Sequence, residues 1–274
     1  MPTTKINHVN LYWEILGDKG EPLVFVHGSW GDHHNWDPVV DELAKDYRVL
    51  TYDRRGHSKS ERLQKQGSAE EDVSDLIALI EYLNLSQAHI IGNSGGAAIV
   101  LKTAARRPNI FKTLVIHEPP LFGLLKNIDE AQPMLKVVEQ RIHAVVDLIA
   151  TNEHERAAKL FVETIAFGTD AWQGLSEQVK QTFIYNAPTF LDEIRDDENL
   201  EFDTSSLSRF DKPALLTHGS ESPPFFIMGL DIIANALKNA KRFVFEGAGH
   251  VPHMSHPHQY IQRLKQFCNS YQAV

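Results

Sequence analysis

The stretch Ile90-Ile91-Gly92-Asn93-Ser94-Gly95-Gly96-Ala97 decides how this chain is read: an apolar strand runs into Gly-x-Ser-x-Gly and then into a helical run of Ala and Ile. A serine on so sharp a strand-to-helix turn is lifted off the sheet, and glycines two residues to either side let backbone and helix approach it closely. Such a turn presents a nucleophile. Five residues alone do not separate it from an ordinary Gly-rich turn, so the surrounding pattern has to agree.

Working outward, short β-rich runs alternate with helical ones, the pattern of a mostly parallel sheet with helices on both faces. Residues 9–16 read as a strand near a sheet edge, and 22–26 as a buried strand ending at His27-Gly28. A helix over 36–45 and a strand over 47–53 follow. Ser68 with Glu71 three residues on predicts a capping box for a helix running to about residue 83. The strand 88–92, the serine turn, a helix to about residue 106 and a strand over 111–117 complete this half.

After Glu118-Pro119-Pro120 the alternation stops. From about residue 129 to 186 the apolar spacing is helical, with Leu135, Val138, Ile142, Val145 and Ile149, then Leu160, Phe161 and Ile165. Strands resume at 213–218, followed by a helix from about residue 226, a strand over 242–246, the loop Gly247-Ala248-Gly249-His250 and a last helix from about 258. The economical division is an α/β core over 1–120 and 208–274 with a helical cap, 121–207, inserted over the strand ends where open α/β sheets bind ligands.

Composition narrows the function. Of 274 residues 42% are hydrophobic, enough for a large core in one α/β domain with an insertion. Lys and Arg total 27 against 36 Asp and Glu, a formal charge of −9, which disfavours a nucleic acid partner because phosphate backbones need a basic face. The single Cys268 sits in an apolar helical run and reads as a small packed hydrophobe, which points to a reducing compartment. The first residues carry no apolar block behind a basic start, and no apolar run approaches the length of a bilayer span. The expectation is a cytoplasmic protein with no membrane partner.

Cleavage of an ester by serine needs a nucleophile, a base, a carboxylate that orients the base, and donors for the oxyanion. Ser94 is the candidate nucleophile. His250 is the candidate base, since it ends a strand-then-loop element in which Gly247 and Gly249 can bring an imidazole back to the strand ends. Four histidines, His250, His253, His256 and His258, lie close together, but Pro252 and Pro257 break any register that would align a metal-binding pair. With no phosphate-binding loop either, neither a metal nor a cofactor is expected.

The chain resembles the α/β-hydrolases over essentially its whole length. The residues carrying the resemblance are His27-Gly28-Ser29-Trp30, Asp53-Arg54-Arg55-Gly56-His57-Ser58, Gly92 to Gly96, and Gly249-His250. It implies an eight-stranded, mostly parallel sheet with an inserted helical cap, and an oxyanion hole built from the backbone N–H groups of Ser29 and Gly95. The Asp53 to Ser58 loop is read as structural, an arginine pairing with an aspartate to hold it beside the site. Trp30, next to an oxyanion donor, and Trp172 in the cap are expected to line the substrate pocket.

The acid departs from the common pattern. Family members usually carry Asp three residues after the Gly that ends the seventh strand, where this chain has Ser222. A smaller set, including the zearalenone lactonases, is similar in placing Glu after the sixth strand, and here that residue is Glu118. Glu221 stays open as an alternative acid. The lactonase resemblance extends to His117-Glu118 before Pro119, Ala171-Trp172-Gln173, and Ser255-His256-Pro257. The expected function is therefore a serine hydrolase of small, largely apolar esters, with a lactonase as the special case and a ligand receptor on the same fold as the rival.

Overall fold

The computed structural model describes residues 2–271. Eight strands form one sheet: β1 (Thr3–Ile6), β2 (Val9–Leu16), β3 (Pro22–Val26), β4 (Arg48–Tyr52), β5 (Ala88–Asn93), β6 (Phe111–His117), β7 (Ala214–Gly219) and β8 (Ala240–Phe245). Their order is β1-β2-β4-β3-β5-β6-β7-β8, antiparallel at the β1–β2 and β2–β4 pairs and parallel from there on. Strands β5 and β7 are buried at every position, as continuous apolar runs in the middle of a covered parallel sheet should be. The short strand β1 lies in a polar N-terminal stretch that the alternation pattern does not single out.

One face of the sheet is covered by α2 (Ala69–Tyr82), α3 (Gly95–Arg106) and α8 (Pro224–Ala236), and their apolar sides join the sheet in one cluster that includes Val26, Leu76, Ile90, Val100, Ile116 and Leu230. The other face is covered by α1 (Asp37–Leu43) and α10 (Pro257–Asn269), which follows the short α9 (Pro252–Ser255), packed on Phe25, Val49, Ile91, Val115 and Leu215. Cys268 is fully buried there, and burial pushes its thiol up to about 12, so it behaves as an inert hydrophobe. At the start of α2, Ser68 accepts the N–H of Glu71, so half of the expected capping box is present.

Between β6 and β7 the chain is helical: α4 (Gln132–Ala150), α5 (His154–Phe161), the short α6 (Ala171–Gly174) and α7 (Glu177–Arg195). Residues Val162–Ala166, directly after α5, wind as a π-helix, a geometry that often marks functional segments. This insert has its own core, in which Val145, Ala157, Val162 and Ala187 meet Trp30 of the sheet side. One face of α7 clamps it down: buried Asn186 donates to the carbonyls of Trp30 (3.2 Å) and Gly31 (2.9 Å) and accepts the N–H of Ser58 (2.8 Å). Residues 186, 189 and 193 share that face at helical spacing. Among the described residues no helix is long and apolar enough to cross a membrane.

Candidate active site

Register sets the site. In the ladder Asn93 lies opposite His117, and His117 opposite Thr217, so β5, β6 and β7 finish side by side and the next residues, Ser94 and Glu118, emerge at one edge. Both leave the sheet with left-handed backbone, φ 54° at Ser94 and 47° at Glu118, a conformation that costs a non-glycine residue about 1–3 kcal/mol and concentrates at functional sites. Ser94 N–H donates to the carbonyl of His117 at 2.9 Å, fastening the serine turn to β6. Gly96 is required at its place, since a Cβ there would stand 2.2 Å from the Val26 carbonyl.

Glu118 is fully buried and its two oxygens are divided between two donors. Oε2 accepts His250 Nδ1–H at 2.6 Å, and Oε1 accepts the Gly219 N–H at 2.8 Å. Burial alone would raise this carboxyl; the donors and neighbouring imidazoles bring it instead to about 2. His117 stands first among the lowering neighbours and His250 next; His117 is itself pushed down to about 4 by burial, so it is charged only in the acid range and at neutral pH the His250 hydrogen bond is the main support. An ionised carboxylate only accepts, which puts the His250 proton on Nδ1 and leaves Nε2 with a free lone pair. Phe226, in the first turn of α8, stacks on the His250 ring at 4.9 Å, and Asn93 Nδ2 donates to the His250 carbonyl at 2.9 Å.

Ser94, His250, Ser29 and Gly95 line one cavity. No hydrogen bond joins Ser94 Oγ to His250 among the described residues; such contacts are often loose without substrate and tighten around it. Gly95 is the first residue of α3, where backbone N–H groups have no intrahelical acceptor. A Cβ on Gly95 would lie 3.3 Å from the Ser29 backbone N, so glycine lets the two amides come together. The arrangement offers a hydroxyl, an imidazole with its lone pair free, and two amides at one spot, the parts an acyl-transfer reaction uses.

Glu221 lies elsewhere. Its N–H donates to the Ala248 carbonyl, its side chain accepts from Ser220 at 3.5 Å, and it faces a groove on the outer side of His250. Ser222, at the usual acid position, is buried beside Glu118 without a well-aligned hydrogen bond to it.

The two tryptophans correct the sequence reading. Trp30 does not line the cavity: its backbone is left-handed, φ 69°, which sends the fully buried ring into the insert, stacked on Phe161 at 4.7 Å. Trp172 is likewise buried in the core of the insert rather than exposed to the cavity. The apolar walls come instead from Phe122, Ile142, Phe161, Phe190, Phe225 and Phe226, with Arg141 and Glu193 as the charged lining residues. The loop arginines do pair with acids, but not with Asp53. Arg55 meets Asp75 and Glu71, while fully buried Arg54 pairs with Glu193 of α7 and with Asp72 of α2 at 3.6 Å. Asp53 instead accepts His33 Nδ1–H at 2.6 Å. Burial raises both acids on Arg54, Asp72 to about 7.

The chain belongs to the alpha/beta hydrolase fold family, whose model matches residues 21–257. Its relatives include the uncharacterized hydrolase YraK of Bacillus subtilis, 29% identical over a match that covers 62% of this chain and 64% of that protein. The bifunctional esterase/perhydrolase DCH of Acinetobacter calcoaceticus is 26% identical, over 90% of this chain and 91% of that one. A proline iminopeptidase of Heyndrickxia coagulans is also 26% identical, over 92% and 91%. Est816, described as an N-acyl homoserine lactone degrading enzyme, shares the fold with a TM-score of 0.76 at 19% identity, over 97% of this chain and 100% of its own.

Proposed function

We propose that the protein is a serine hydrolase of carboxylic esters working through an acyl-enzyme, with Ser94 as nucleophile, His250 as base and Glu118 as acid. The observation that carries this reading is the 2.6 Å bond from His250 Nδ1 to the buried Glu118 carboxylate, beside a cavity that His250 and Ser94 line together. His250 Nε2 takes the Ser94 proton as Oγ attacks the ester carbonyl, and Glu118 stabilises the imidazolium that forms. The Ser29 and Gly95 amides receive the negative charge on the carbonyl oxygen, each such donor being worth about 3–4 kcal/mol. The imidazolium then protonates the leaving alcohol, and the same base activates water to release the acid.

The aromatic walls favour a small, largely apolar ester. Similarity to an esterase/perhydrolase over most of both chains supports the ester class. A lactone is the special case, supported by the likeness to Est816 and by the lactonase-like patches around Glu118 and Trp172. Residues 121–207 serve as the cap, and a reducing, cytoplasmic setting completes the reading.

The test is labelling of Ser94 by a fluorophosphonate followed by turnover of a p-nitrophenyl ester panel. Labelling with steady turnover is expected; labelling without turnover on any ester would favour a receptor and overturn the proposal. A macrolactone or γ-lactone opened more slowly than a matched open-chain ester removes the lactonase case alone.

A further inference from the structure

His117 takes no part in the mechanism above, yet it touches both the acid and the loop that carries the base. It is 1% exposed at the end of β6 and lies level with Thr217 of β7, which is 2% exposed. Nδ1 is 2.9 Å from Thr217 Oγ1. Near Nε2 stand two acceptors, Glu118 Oε1 at 3.4 Å and the carbonyl of Gly249, the residue before His250, and Nε2 has no well-aligned hydrogen bond to either.

These neighbours fix the tautomer. A neutral imidazole carries one proton, and a hydroxyl has one to give. With the proton on Nδ1, the Nε2 lone pair would face a carboxylate and a carbonyl in a buried site, with no donor between them. With the proton on Nε2, that N–H faces the side on which both acceptors stand, and the Thr217 hydroxyl can donate to Nδ1 at 2.9 Å in place of the Ile116 carbonyl, which is farther off at 3.2 Å. Burial, which pushes His117 down to about 4, keeps it singly protonated at neutral pH.

We propose that Thr217 and His117 are positioning residues: the Thr217 hydroxyl sets His117 as the Nε2–H tautomer, and that N–H holds the Glu118 carboxylate and the Gly249–His250 loop in one register. The Gly219 N–H bonds to Oε1 and His117 Nε2 stands 3.4 Å from the same oxygen, which leaves Oε2 to His250. On the opposite side Asn93 Nδ2 holds the His250 carbonyl, so the base is gripped from β5 and β6 at once. The inference rests on Glu118 being the acid.

The tautomer is read directly by long-range 1H–15N spectra of histidine-labelled protein. Wild type should give the Nε2–H pattern for His117, and Thr217→Val, nearly the same shape without the hydroxyl, should give a mixed or Nδ1–H pattern. In the same variant kcat should fall about tenfold, the worth of one hydrogen bond to a charged group, with KM unchanged. His117→Gln, whose amide N–H can reach the Nε2 position, should keep more of kcat than His117→Phe at matched melting temperature. An Nδ1–H pattern in wild type overturns the proposal, as does an unchanged kcat in Thr217→Val. If the histidine variants fail to fold, the wild-type spectrum and Thr217→Val still decide. Full activity in Glu118→Gln would instead remove the triad reading, a result distinct from either of these.

Discussion

Replacing Glu118 by Gln probes the site at its most buried point, and the structure dictates how the substitution acts. Gln has the same shape but offers one acceptor oxygen where Glu offers two. The Gly219 N–H donates to this carboxyl at 2.8 Å in a buried site, so the amide oxygen is expected to turn toward it. The amide NH2 then faces His250 Nδ1, donor against donor, and the imidazole is driven to the tautomer protonated on Nε2. That tautomer cannot take the Ser94 proton, and the charge that stabilised the imidazolium is gone. Loss of both effects in a triad costs about 10,000-fold in kcat, or about 5.5 kcal/mol of transition-state stabilisation. The assay is kcat and KM on a p-nitrophenyl ester, with melting temperature to confirm an intact fold and Glu221→Gln as the control. A loss of less than tenfold, or a larger loss in Glu221→Gln, would refute the assignment of the acid.

Other substitutions test the remaining parts. Ser94→Ala should abolish fluorophosphonate labelling and lower ester turnover by several orders of magnitude with the melting temperature unchanged, because triad members act as a unit. Trp30→Ala should cost about 3–5 kcal/mol in chemical denaturation while leaving the ranking of ester substrates as it was, since the ring packs into the insert and not against substrate. A changed ranking would restore Trp30 to the pocket. Stability against pH should carry contributions of opposite sign. Glu118, about 2 in the folded protein against an ordinary 4.5, contributes about 3 kcal/mol above pH 4.5 that is lost as pH falls toward 2. Asp72, raised from 3.8 to about 7, favours the folded state in its protonated form, so its own contribution declines by up to about 4 kcal/mol as pH climbs from 4 to 7, while buried His27, His117 and His253, pushed down to between about 3 and about 4, favour the folded state in their neutral form and act in the opposite direction. Asp72→Asn should therefore gain stability relative to the unsubstituted protein as pH climbs from 4 to 7, and a difference between the two that does not change with pH would show that Asp72 is not titrating there.

What could be read from the sequence depended on how local each signal is. The serine turn is encoded within a few residues, glycines included, and His250 follows from a strand, a flexible loop and a histidine in that order. The apolar periodicity of residues 135–149 likewise predicts α4, because one helix face is enough to set it. Contacts across elements left weaker traces. Trp30 follows the oxyanion strand directly, yet a single left-handed backbone angle turns its ring away from the cavity, and adjacency in sequence carries no sign of it. The partners of Arg54 sit on α2 and α7 and would be found only by noticing that Asn186, Thr189 and Glu193 share one helical face. Phe226 could be recognised as a pocket residue only once α8 was known to begin at the cavity edge.

With Glu118 as the proposed acid, topology, more than motif, constrains the site. Strand β6 lies between β5, which carries Ser94, and β7, whose end holds the usual acid position. Neighbouring strands are about 4.8 Å apart, so a carboxylate moved from the end of β7 to the end of β6 shifts by about one strand spacing. The longer side chain of Glu and its left-handed backbone absorb that shift and bring Oε2 to 2.6 Å from His250. In return β7 supplies hydrogen bonds in place of the acid: Gly219 donates its N–H to Oε1, and Thr217 stands beside His117. A serine at position 222 is then no defect, because the strand that lacks the carboxylate helps to hold the one next to it. It follows that Ser222→Asp should not improve the enzyme. It would place a second carboxylate beside a buried one already served by His250, and the expected result is a fall in both melting temperature and kcat. A gain in kcat, with Glu118→Gln rescued in the double variant, would mean that the two positions are interchangeable and that β7 plays no supporting part.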